Sequence, residues 1–91
     1  MINFNIFLTP SFKRDLKKFK NHFELMDRLQ SKISEIKNDP YHYKPLRYPF
    51  KNQRRTHLGS FILIFEIDEE DKTIAFLSFR HHDDAYKKDD W

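Results

Sequence analysis

The chain has no cysteine, one glycine and one tryptophan, and no apolar run that approaches membrane-spanning length. Without cysteine, neither a disulfide framework nor a thiolate metal site can hold the fold together, and a reducing cytoplasm is the expected location. Without about 20 consecutive apolar residues, no helix is expected to cross a membrane. Met1 to Leu8 carries neither a basic leader nor a long apolar stretch, so no signal peptide is expected either. These absences leave a soluble intracellular domain whose turns have little glycine to draw on.

What is present is aromatic and charged. Ten phenylalanines and four tyrosines in 91 residues predict a core packed with rings, in one domain spanning residues 1–91. The 17 Lys/Arg and 14 Asp/Glu give a net charge of +3, unevenly placed. Residues 1–59 hold thirteen basic groups against five acidic ones, and residues 60–91 hold four against nine. Basic charge gathered on one part of a small domain suits a polyanionic partner, with nucleic acid the first candidate. Lysines covering a solvated helix face would give the same count.

Ile2 to Leu8 predicts a strand with a buried face. Thr9-Pro10 predicts a helix start, with Thr9 as cap and Pro10 at the first position, where a missing N–H costs nothing. Phe12, Leu16 and Phe19 form one apolar stripe on that helix, and Lys13, Arg14, Lys17, Lys18 and Lys20 cover most of the rest. Asn21 with Glu24 three residues on predicts a second cap. Phe23, Met26, Leu29, Ile33 and Ile36 then continue a stripe to the stop at Asn38-Asp39-Pro40. Residues 41–52 form a basic, aromatic loop broken by Pro45 and Pro49. Three strands follow, at Arg54 to Leu58, Phe61 to Ile67 and Thr73 to Phe79. The second is apolar on both faces, as a central strand would be, and an acidic connection from Asp68 to Lys72 joins it to the third. A short helix over Asp83 to Lys88 and Trp91 close the chain. The order β-α-α-β-β-β predicts an α+β fold, with a helical hairpin packed on a small, mainly antiparallel sheet and a short C-terminal helix.

The third strand runs into Arg80-His81-His82-Asp83-Asp84-Ala85-Tyr86, a dense set of polar groups at a rigid strand end. A polar strand terminus turning into a surface helix is the plainer account of it.

Taken together, Thr9 to Phe19, Lys44-Pro45-Leu46, Arg55 to Phe65 and Arg80 to Tyr86 resemble the RelE/ParE superfamily of toxins from toxin–antitoxin modules. The closer resemblance is to the YafQ branch, which has a histidine where His57 stands and an aromatic where Phe61 stands. That branch also has a second histidine four residues before a terminal aromatic, as in His82 and Tyr86. It has an aspartate where this chain has Ser60 and a histidine where it has Lys44, and RelE has a catalytic arginine where this chain has Ile62. The resemblance implies the RelE-like fold and cleavage of messenger RNA on the ribosome. It also implies a cognate acidic antitoxin, with the toxin a monomer when alone and part of larger assemblies with that partner. The same fold also serves ParE-type toxins, which act by binding DNA gyrase, and a degenerate homologue could merely bind antitoxin or RNA.

RNA cleavage without a metal needs a base for the 2′-hydroxyl, an acid for the leaving 5′-oxygen, and cations for the anionic phosphorane. Imidazole can serve either proton transfer near neutrality, and a guanidinium fork can bond two phosphate oxygens at once. His82 and His57 are the expected acid and base, Arg80 and Arg55 the phosphate clamp, and Tyr86 a stacking or hydrogen-bonding contact. Lys44, Arg54, Arg47, Lys51, Lys13 and Lys17 are expected to hold the RNA backbone. Each has a structural alternative: His82 as a polar helix start, His57 and Arg55 as charged edge-strand residues, Tyr86 as a packed ring. If the strand persisted, His81 would alternate away from His82. Two histidines with Asp83 or Asp84 suit a metal by ligand type, but adjacent residues are poorly spaced for one ion. No metal and no cofactor are therefore expected.

Overall fold

The computed structural model describes residues 3–47 and 52–85. Met1, Ile2, Tyr48 to Lys51 and the end of the expected closing helix, with Tyr86 and Trp91, lie outside the described residues. The elements are β1 (Asn5–Leu8), α1 (Pro10–Lys17), α2 (Phe23–Asn38), β2 (Lys44–Pro45), β3 (Gln53–Leu58), β4 (Phe61–Asp68), β5 (Thr73–His81) and α3 (His82–Ala85). Two helices pack on a mixed five-stranded sheet of order β1-β5-β4-β3-β2, parallel only between β1 and β5.

Local chemistry explains most boundaries. Thr9 caps α1, its Oγ1 accepting from the Phe12 N–H at 3.2 Å, and Pro10 takes the first helical position. The same hydroxyl donates to the Phe76 carbonyl at 2.8 Å, so the cap also ties the helix start to β5. Asn38 ends α2, and the buried Pro40 opens a short 3-10 turn over Pro40–His42. Gly59 supplies the left-handed backbone (φ +60°) of the two-residue turn between β3 and β4.

Burial follows the topology. Central strand β4 is buried on both faces from Ile62 to Phe65. Under the helices, Phe12, Phe65, Phe76 and Phe79 are fully buried, with Phe76 centred 5.6 Å from Phe12 and 5.9 Å from Phe65. Truncating a ring like these to Ala typically costs about 3–5 kcal/mol, a large share of the ~5–15 kcal/mol that stabilises a domain. On the other face lies a smaller apolar cluster of Ile62 and Ile64, with Leu77 against it.

Three local expectations are overturned. The strand at the N-terminus is shorter and lies at the sheet edge, where Ile6 and Phe7 are 36% and 53% exposed; the buried residue is Phe4, before the strand begins. An edge strand has one partner and cannot be enclosed like β4. At α2 the cap is His22, without a side-chain bond, not Asn21. The His22 N–H closes a turn onto the Phe19 carbonyl at 2.9 Å, which moves the helix start one residue on. Phe23, the first residue of α2, is 74% exposed, so the buried stripe narrows to Leu29 and Ile36 flanked by Met26 and Ile33.

Candidate active site on the open sheet face

Side chains directly opposite one another in an antiparallel ladder point to the same face. His57 on β3 lies opposite Ile62, which lies opposite Arg80 on β5. The next row on that face runs Lys44, Arg55, Ile64, Ser78 across four strands. The face away from the helices therefore carries Arg55, His57, Arg80 and Lys44 around the apolar floor of Ile62 and Ile64. Ile62 is fully buried, as the sequence predicts for a residue with a core role.

The basic loop is expected to be extended or turned, but two of its residues, β2, join the sheet and set Lys44 opposite Arg55. Arg54 faces the other way. Its Nη1 donates to the Tyr43 carbonyl at 2.6 Å, and its guanidinium lies 5.4 Å from the Tyr41 ring centroid, so it buttresses the helical side. Lys13 and Lys17 are exposed on α1, and Arg47 is exposed just beyond β2. Lys51 and Tyr86 lie outside the described residues.

His82 reaches the same end of the sheet through α3. Its N–H donates to the Ser60 carbonyl at 2.8 Å, which seats the start of α3 over the β3–β4 turn, beyond His57 and Ile62. The condition under which His81 would point away from His82 is not met, because β5 ends at His81 and strand alternation ends with it. Their ring centroids are 4.8 Å apart, and His81 also packs edge-on against Phe61 at 5.6 Å. His82 Nε2 lies 3.1 Å from Asp83 Oδ1, close enough for the carboxylate to orient the imidazole.

For the same reason, adjacency in sequence does not keep the candidate ligands apart. Ligand atoms of His81, His82 and Asp83 all lie within 4.8 Å of one another. Neighbouring ligands on a tetrahedral zinc are about 3.4 Å apart, closer than the widest of these separations, and Asp83 stands 3.6 and 3.1 Å from the two imidazoles, where it can pair with them instead.

Two contributors were missed in the sequence. In the sequence, Asp83 suggests only a metal ligand. Asp15 falls between Phe12 and Leu16 on the apolar stripe, where a charged residue is itself a signal. It is 5% exposed; its Oδ2 accepts from the Phe79 N–H at 2.9 Å and lies 3.5 Å from Arg80 Nε.

The sequence profile of the family described as ParE toxin of type II toxin–antitoxin system, parDE, matches residues 6–86. A Methanocaldococcus jannaschii protein named "Putative toxin RelE4" is 39% identical over 87 residues, 93% of each chain. In structure the chain is similar to YafQ from E. coli, with TM-score 0.72, 21% identity, and coverage of 91% of this chain and 98% of that one. It is also similar to a chain of the E. coli DinJ–YafQ toxin–antitoxin complex, with TM-score 0.75, 22% identity, and coverage of 93% and 99%. The structural likenesses bear on fold alone. On the profile and the archaeal relative, which span nearly the whole chain, this protein belongs to the ParE toxin family, within the RelE/ParE superfamily of type II toxin–antitoxin systems.

Proposed function

We propose that this toxin is a metal-independent endoribonuclease that cleaves messenger RNA on the ribosome and so blocks translation. The observation that carries the reading is the placement of Arg55, His57 and Arg80 on one sheet face, with His82 anchored at the end of it. His82 and His57 exchange protons with the 2′-hydroxyl and the 5′-leaving oxygen. Arg80 and Arg55 hold the non-bridging oxygens as charge builds on the phosphorane, where a guanidinium acts most strongly. Lys44, beside Arg55, adds a phosphate contact at the rim. Lys13, Lys17, Arg47 and Lys51 serve the nucleic-acid backbone or an acidic antitoxin. Such a partner fits the fold's occurrence in a toxin–antitoxin complex.

The test adds purified chain to translating ribosomes and maps mRNA 5′ ends, with gyrase supercoiling assayed in parallel. New 5′ ends are expected. If none appear and supercoiling falls, gyrase inhibition replaces the nuclease reading. If neither changes and expression without a partner is harmless, the chain is a non-catalytic homologue.

A further inference from the structure

We propose that Asp15 is a positioning residue for the candidate nuclease site, fixing the Arg80 guanidinium so that its terminal nitrogens meet the phosphate. The proposal rests on the reading of the open sheet face as an RNA-cleaving site. Strand β1 ends at Leu8, opposite Phe76, so no described strand pairs with β5 on that side from Leu77 to His81. Thr9 covers the first exposed group there, its N–H and Oγ1 both donating to the Phe76 carbonyl at 3.2 and 2.8 Å. Three residues on, the side chain of Asp15 substitutes for a strand: Oδ2 accepts the Phe79 N–H at 2.9 Å.

That bond alone would require only a neutral acceptor. A carboxylate that is 5% exposed pays a desolvation cost that an Asn would not, and the group that answers its charge is Arg80, with Nε 3.5 Å from the same oxygen. The Arg80 side chain remains 35% exposed. With Nε turned to Asp15, the two Nη groups are left to make a bidentate contact with phosphate, and a long side chain that would otherwise sample many rotamers is restricted beforehand. The carboxylate thus sits on the helical side of the domain and acts through Arg80 on chemistry across the sheet.

Asp15→Asn separates the two roles, because its Oδ1 can still accept from the Phe79 N–H while the charge is gone. In the mRNA cleavage assay this variant should lose about ten- to a hundredfold in kcat, with KM changed little and the melting temperature close to that of the wild type. In an Arg80→Lys background, which lacks the fork, Asp15→Asn should cause no further loss. An equal loss in both backgrounds would make Asp15 merely structural and overturn the proposal, as would an unchanged kcat. The pairing also has a readout that needs no activity: the ¹⁵N-labelled Arg80 Nε–H should give a resolved, exchange-protected NMR signal that Asp15→Asn abolishes. Absence of that signal in the wild type overturns the pairing. Wild type that shows the signal but cleaves no RNA overturns the nuclease reading, and with it what Arg80 is positioned for.

Discussion

His57 and His82 arrive at one end of the sheet by different routes, one on the ladder of β3 and the other on a helix start tied to Ser60. His82→Ala should reduce mRNA cleavage by about 10²-fold or more if the imidazole transfers protons. His81→Gln, which alters a ring held against Phe61, should stay within a few-fold of wild type; mapping 5′ ends with both variants checks the distinction. Tyr43 makes a separate, pH-dependent claim. Burial first, and then the charges of Glu35 and Asp39, raise its phenol above the ordinary value. The neutral phenol is the form the fold favours, so its contribution is whole below the unfolded pKa of about 10 and is lost as pH rises through the folded value. Tyr43→Phe should match wild type in urea denaturation at pH 8 and outlast it above pH 10.

Among the elements, the β3–β4 turn depends most on a single residue. Gly59 is the only glycine in the chain and has a φ of +60°. A Cβ there would come no closer than 3.8 Å to the Arg28 guanidinium, so space does not forbid a side chain. The backbone does. Gly59→Ala should cost about 1–2 kcal/mol in denaturant titration, and Gly59→Asn less, since Asn tolerates the left-handed region. This turn also carries Ser60, whose carbonyl seats His82, so the Ala variant should lose activity as well as stability. Elements with local causes were legible in the sequence: the Thr9-Pro10 start, the stop before Pro40, and a central strand apolar on both faces. Strand β2 was not, because the partner that makes Lys44-Pro45 a strand is Arg54-Arg55, some ten residues away, and periodicity does not report pairing.

Across the whole molecule, charge is sorted along the strands. His57, Arg80 and His82 lie towards the β3–β4 turn, and Asp68, Glu69, Glu70 and Asp71 occupy the connection at the other end of β4. Eight residues of strand at ~3.3 Å each separate the ends by about 23 Å, more than twice the Debye length of about 8 Å at physiological salt. The acidic end is therefore screened from a phosphate at the site. Lys44→Ala should weaken binding of single-stranded RNA and make log K against log salt shallower by about 0.7, whereas Glu69→Gln with Glu70→Gln should leave the slope unchanged. Fluorescence anisotropy across a salt series would check both. The helices add a second constraint, since between them the helical core and the apolar floor of the open face bury β4 on both sides.

By itself, the order of residues determined the helices and the central strand, because each is set by neighbours within a few positions, and the composition determined the wealth of aromatic rings and the uneven charge. It also held enough scattered likeness, from Thr9 to Tyr86, to indicate a superfamily. The tertiary structure alone decided which cations share a face, and it separated Arg54 from Arg55, two adjacent residues, onto opposite sides of the sheet. It decided that His81 and His82 meet, since a strand ending one residue later would have parted them. Asp15 depends on it most: its hydrogen-bond partner, the Phe79 N–H, lies 64 positions away along the chain, and only the early end of β1 leaves that N–H for a carboxylate to take.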